Sequence, residues 1–179
     1  MNNGDWKKLI PNLMTMANMT LGLGTVLLLL RPGTGVQRLV CVVLILAGGL
    51  IDALDGSIAR RLQAATEMGK QLDSFADLIT FGVAPIALLH AVGFAEYSPA
   101  VTILGWVYLI AGAYRLARYN LGDFTDHFIG LPITAAGIIL ALYCAIFLLW
   151  EGLNPKVTTP LVLAGLSLLM VSRFKINRL

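Results

Sequence analysis

The chain has 179 residues, 58% of them hydrophobic and only 13% charged, with a mean hydropathy of +0.80. A soluble domain of this size carries charge on about a quarter of its residues, so this composition excludes an ordinary soluble enzyme. It fits one polytopic membrane domain over residues 1–179, with no room for a separate soluble domain. The net charge of +3 and pI near 9.0 would suggest a nucleic-acid partner in a soluble protein. In a membrane protein they ask instead which side the cations occupy, and no nucleic-acid partner is expected.

Hydropathy and chain breakers predict an all-α fold of six membrane-spanning helices, at about 12–30, 36–62, 71–92, 99–119, 130–150 and 157–172, each near the ~20 residues a bilayer requires. The first stretch lacks a small-residue cleavage site, so a retained helix is expected rather than a signal peptide. Arg31-Pro-Gly-Thr-Gly closes helix one, and Glu96-Tyr-Ser-Pro99 separates helices three and four. Gly122-Asp-Phe-Thr-Asp126 and Glu151-Gly-Leu-Asn-Pro155 mark the next two boundaries. The segment from Ala59 to Lys70 is polar yet rich in helix formers. Helix two is therefore expected to run past the membrane surface, with a short turn before helix three. Cys41 and Cys144 lie far apart in apolar stretches without metal-ligand spacing, and read as small buried side chains.

Of the 13 basic residues, Lys7, Lys8, Arg60, Arg61, Lys70, Arg115, Arg118, Arg173, Lys175 and Arg178 fall at the termini and the even-numbered connections. Arg31, Arg38 and Lys156 take the other side. The positive-inside bias predicts both termini in the cytoplasm, which requires an even number of spans.

The chemistry concentrates in Asp52-x2-Asp55-Gly56-x2-Ala59-Arg60-x8-Gly69-x3-Asp73-x3-Asp77. A carboxylate deep in a membrane helix costs about 2.5–3.5 kcal/mol on insertion scales, and four together demand a cation. Positions three and four apart share a helix face. Asp52, Asp55, Gly56 and Ala59 then form one stripe on helix two, and Gly69, Asp73 and Asp77 another on helix three. A short antiparallel connection lets the stripes face each other near the cytoplasmic interface.

Oxygen ligands without His or Cys suit Mg²⁺ or Mn²⁺. Two such ions would balance four carboxylates, and two-metal sites serve in-line phosphoryl displacement. Gly56 and Gly69 leave room for a base or phosphate, and Arg60 offers a fork for a diphosphate. Buried carboxylates also mark ion and proton paths, so a membrane transporter is the competing reading, although no inverted repeat is evident.

The aspartate pattern, with eight fixed positions, resembles the signature of the CDP-alcohol phosphatidyltransferases. Pro11-Asn12-Leu-Met-Thr15-Met-Ala-Asn18, Asp73-Ser-Phe-Ala-Asp77-Leu-Ile-Thr-Phe81-Gly82-Val-Ala-Pro85, Arg115-Leu-Ala-Arg118-Tyr-Asn120 and Phe128-Ile-Gly130-Leu-Pro132 are similar to one branch, the membrane-integral phosphatidylserine synthases of bacteria and archaea. Thr80 and Tyr119 stand where many relatives have Ser and Phe. The resemblance implies a six-helix enzyme of the cell membrane, commonly a homodimer, with a binuclear metal site facing the cytoplasm.

It further implies transfer of phosphatidyl from CDP-diacylglycerol to L-serine, releasing CMP. Asp52, Asp55, Asp73 and Asp77 are carried over as metal ligands, and Asp77 also as general base. Asn12, Thr15, Gly56, Arg60, Thr66 and Gly69 match positions that contact the CDP headgroup. Arg115, Arg118 and Asn120 become candidates for the acceptor or a phosphate. Inositol phosphate, glycerol phosphate and other alcohols stay open as acceptors.

Overall fold

The computed structural model describes residues 5–62, 64, 66–94, 99–121, 127–150, 154–172 and 175–177. Residues 96–98, 122–126 and 151–153 of the expected boundaries lie outside that set, as do Arg173 and Arg178 and the side chains of Lys7, Lys8 and Lys175.

The described residues form six helical rods. Helix α1 spans Asp5–Leu29 and contains Pro11. It begins earlier than hydropathy suggested, because its first turns are polar but helix-compatible. Helix α2 spans Gly35–Arg61, with the Thr34 hydroxyl accepting the Gln37 N–H at its start. The third rod has three parts: α3 (Glu67–Asp77), a π-helical turn (Leu78–Val83) and α4 (Ala84–Ala91). Helices α5 (Pro99–Leu121), α6 (Ile133–Leu149) and α7 (Pro155–Val171) complete the set.

Four rods are long and apolar enough to cross a membrane: Leu9–Leu29, Gly35–Arg61, Glu67–Ala91 and Pro99–Leu121. The expected fifth and sixth spans are apolar helices of 17 residues each. At about 1.5 Å per residue each is roughly 25 Å long, short of the ~30 Å hydrocarbon core. Helix α6 is shorter than expected because Gly130 takes a left-handed φ of +74° and Pro132 caps the start. One element was not anticipated in an all-α chain. His127–Ile129 (β1) and Lys175–Asn177 (β2) form a short antiparallel ladder with Phe128 opposite Ile176.

Helix α1 packs along α2, and α5 along α7, while the third rod contacts α1, α2, α5 and α6. Its apolar window is 56% buried against 22–39% for the other three long rods, so it is the core of the bundle. Neighbours reach its π turn through glycine. A Cβ on Gly22 of α1 would lie 2.7 Å from the Thr80 Cα, one on Gly48 of α2 2.7 Å from the Thr80 Cγ2, and one on Gly137 of α6 2.6 Å from the Phe81 carbonyl oxygen. Apolar lipid supplies no hydrophobic drive between helices, and small residues permit the close backbone approach that replaces it. This three-way contact fixes the third rod one turn beyond Asp77.

Candidate active site

Helix α2 ends at Arg61, and Thr66 starts α3 by accepting the Gly69 N–H on its hydroxyl at 3.0 Å. The two acidic stripes come together on either side of this junction, as their spacing required. Ligand oxygens of Asp52, Asp55 and Asp73 all lie within 4.8 Å of one another. Asp77 completes the group, near enough to Asp52, Asp73 and Asp55 for their charges to act on it. Asp55 and Asp77 are buried, whereas Asp52 and Asp73 are partly open.

Two hydroxyls hold the α2 carboxylates from outside the acidic stripes. Thr134 at the start of α6 donates to Asp52 Oδ2 at 3.2 Å. Thr15 of α1 lies 3.0 Å from Asp55 Oδ2 and 3.1 Å from the Pro11 carbonyl. A hydroxyl has one proton, so Thr15 divides it between a helix carbonyl and the carboxylate. Among the described residues none of the four aspartates has an ion-pair partner, and the second oxygen of Asp77 is buried with no hydrogen bond. Four acids held this close repel unless protons or cations lie between them. An all-oxygen set with an unsatisfied buried acceptor fits a hard divalent cation.

The group borders a cavity of about 320 Å³ that collects most of the remaining sequence candidates. Asn12, Thr15, Asp55, Gly56, Arg60, Thr66, Gly69 and Asp73 all line it. Their convergence from α1, α2 and α3 follows from the packing of α1 against both α2 and α3. The room at Gly69 is already used: a Cβ there would sit 3.0 Å from both Asn12 Oδ1 and Thr66 Oγ1. At Gly56 the nearest group is the Arg60 guanidinium, at 3.5 Å. Arg60 is exposed and makes no hydrogen bond or ion pair among the described residues, leaving its fork available.

The α5 candidates separate. Arg115 is buried, with its Nε unbonded, and its charge interacts with that of Asp77. Asn120 donates its amide to Ser74 Oγ at 2.9 Å, and its carbonyl accepts from Lys70 Nζ at 3.1 Å, tying α5 to α3. Arg118 donates to the carbonyls of Val171 and Ser172 at 3.2 and 3.4 Å, where cations complement a helix C-terminus.

Sequence reasoning missed Thr134 and Tyr119, the latter lining the cavity from α5. Thr134 lies 82 positions from Asp52 in an apolar stretch without local polarity to single it out. Asn18 is fully buried with neither side-chain polar atom bonded, and its backbone carbonyl accepts from Thr80.

Fold and site define a helical membrane protein with an acidic, cation-competent centre opening into a headgroup-sized cavity. The CDP-alcohol phosphatidyltransferase family profile matches residues 8–171, and the chain belongs to that family of enzymes. It is similar to the CDP-diacylglycerol–serine O-phosphatidyltransferase of Bacillus subtilis (strain 168), 38% identical over 93% of this chain and 88% of the relative. The Helicobacter pylori (strain 26695) protein of that name is 34% identical, over 75% of this chain but 56% of its own length. The archaetidylserine synthase of Methanothermobacter thermautotrophicus is 28% identical over 94% of this chain and 70% of the relative.

Proposed function

We propose that the protein transfers the phosphatidyl group of CDP-diacylglycerol to L-serine, giving phosphatidylserine and CMP. The observation that carries the proposal is the joining of the four-aspartate cluster to a cavity lined by Asn12, Thr15, Arg60 and Thr66. Relatives named for this transfer, one matching nearly the whole chain, support serine over inositol phosphate or glycerol phosphate. Membership of a transferase family removes the transporter reading.

In this mechanism Asn12, Thr15, Gly56, Arg60, Thr66 and Gly69 receive the CDP headgroup, with Arg60 against the diphosphate. Asp52, Asp55, Asp73 and Asp77 would hold two divalent cations, Mg²⁺ or Mn²⁺. When bound, such ions neutralise charge on the diphosphate and on the leaving oxygen. The serine hydroxyl oxygen attacks the phosphorus attached to the diacylglycerol. Asp77 takes the hydroxyl proton, and the bond from that phosphorus to CMP breaks. A buried carboxylate is a better base than an exposed one, which suits a weakly acidic alkyl hydroxyl. Arg115, the buried cation nearest in influence to Asp77, is proposed to receive the serine carboxylate. Asn120 and Arg118 border the acceptor side, with Arg118 chiefly docking α7.

The two shorter helices also cross in this reading, since spans of about 17 residues occur. Six spans put both termini and the aspartates at the cytoplasmic face of the cell membrane, as the ten-to-three division of basic residues requires. The working unit is proposed to be a homodimer.

The test is an acceptor screen on purified protein with CDP-diacylglycerol and Mn²⁺ or Mg²⁺, following CMP and lipid product. Serine-dependent CMP release is expected. Product from inositol phosphate and none from serine would overturn the acceptor but keep the reaction.

A further inference from the structure

Two of the three basic residues on the minority side of the charge count, Arg31 and Arg38, line one cavity of about 210 Å³. It forms where α1 gives way to α2, closed by Pro32, Gly33, Gln37 and, from the end of α4, Ala91. Arg38 lies in the first turn of α2 and Asp52 about two-thirds of the way along it. At about 1.5 Å per residue they are separated by roughly 20 Å along the axis, so this cavity is distinct from the active site.

Its electrostatics are one-sided. Neither guanidinium makes a hydrogen bond or ion pair among the described residues, and no acidic side chain lines the space. The amino terminus of α2 adds the positive end of its helix dipole. Gln37 is not free to bind: its side-chain amide donates to the Leu28 carbonyl at 2.7 Å and its backbone N–H to Thr34. It locks the α1–α2 turn, with its oxygen over Gly33, where a Cβ would lie 2.5 Å away. The turn is therefore a fixed frame beside the two arginines.

Two guanidiniums lining one cavity offer the paired N–H donors that suit a tetrahedral phosphate. The volume, roughly that of seven water molecules at about 30 Å³ each, admits a phosphate. Leu30 lines the cavity and is 75% exposed, and Val36, next in the chain to Gln37, is 72% exposed, a surface suited to acyl chains. We propose that this cavity binds the phosphate of an anionic phospholipid in the leaflet at the far end of the helices from the aspartates. The free counterpart of the same chemistry is inorganic phosphate. The site makes enzyme stability respond to anionic lipid at a distance from the reaction.

The test uses the whole protein in phosphatidylcholine nanodiscs, with phosphatidylglycerol or with inorganic phosphate added, read by thermal unfolding and by native mass spectrometry of bound lipid. Phosphatidylglycerol is expected to raise the midpoint of the unaltered protein by about 2–4 °C. In R31Q/R38Q its apparent affinity should fall tenfold or more, because each charge-assisted contact is worth about a decade. CMP release in detergent should stay within twofold. R31Q alone, at an exposed position, provides the same comparison if the double variant does not fold. Equal phosphatidylglycerol binding by either variant and the unaltered protein overturns the site. An equal midpoint rise from inorganic phosphate, with displacement of the lipid, overturns the lipid assignment.

Discussion

The Tyr108 hydroxyl on α5 donates to the main-chain carbonyl of Phe81 at 2.8 Å, inside the π turn that follows Asp77. A π turn breaks the regular ladder, and a freed backbone group in a membrane interior costs several kcal/mol if unmatched. Tyr108 is fully buried, so water cannot replace it. The contact thus pairs a carbonyl for which Pro85, four residues on, has no N–H. Tyr108→Phe keeps the ring and leaves the carbonyl unpaired. It should destabilise the protein by about 1–3 kcal/mol and lower turnover, as read by thermal unfolding and CMP release.

Glycines at the π turn should tolerate no side chain, while a glycine facing open space should. A Cβ at Gly137 would stand 2.6 Å from the Phe81 carbonyl oxygen and 2.7 Å from its Cα, both backbone atoms. Gly137→Ala should cost about 1–3 kcal/mol through forced helix separation. At Gly24 nothing lies within 4 Å, and Gly24→Ala should stabilise α1 by about 0.5–1 kcal/mol. Unfolding midpoints of the two variants should therefore move in opposite directions.

The acidic stripes were legible because their meaning rests on helical periodicity alone: residues three or four apart share a face whatever surrounds them. The cavity-lining set was legible from the residues only in part: Gly56, Arg60 and Gly69 lie on or beside the acidic stripes, whereas Asn12, Thr15 and Thr66 entered through the family resemblance. The π turn was legible only in part: Pro85 has no N–H to pair with the Phe81 carbonyl four residues earlier, but the hydroxyl that takes that carbonyl comes from Tyr108 on another rod. The β1–β2 ladder was not legible, because its partners come from two distant connections. The early start of α1 was hidden by reading hydropathy, which locates the bilayer rather than the helix. Arg118 was legible as a cation but not as the cap of α7, because that role needs the tertiary position of Val171.

Thr134 should matter through Asp52. Its hydroxyl donates to Asp52 Oδ2, and partners that orient ligating carboxylates commonly carry 10–100-fold in metal affinity or activity. Thr134→Val removes the donor at nearly constant shape. The divalent-ion concentration for half-maximal CMP release should rise by about 10-fold or more, with Thr134→Ser restoring it. An unchanged metal dependence would show that Asp52 needs no outside support.

Chelation should abolish activity without unfolding the bundle. The helices are held by packing around Phe81, Leu88 and Ile133, all fully buried, whereas the acidic cluster contributes mainly repulsion unless neutralised. Removing divalent ions should eliminate CMP release while far-ultraviolet circular dichroism stays helical. Mg²⁺ or Mn²⁺, matched to oxygen ligands, should restore turnover. Loss of helical signal on chelation would instead make the ions structural.

Asp77→Asn separates proton transfer from headgroup binding. Asp77 is 8% exposed and keeps one oxygen unbonded, and it is absent from the lining of the headgroup cavity. The amide preserves size but cannot accept the serine proton, so turnover should fall by about 10²–10⁴. Binding of CDP-diacylglycerol, followed by retention of labelled lipid on the purified protein, should change far less. An Arg60→Gln variant should show the reverse weighting, with substrate affinity lost before turnover at saturation, because its exposed guanidinium faces the cavity and not the base. If Asp77→Asn weakened lipid retention as severely as turnover, Asp77 would be a binding ligand rather than the base.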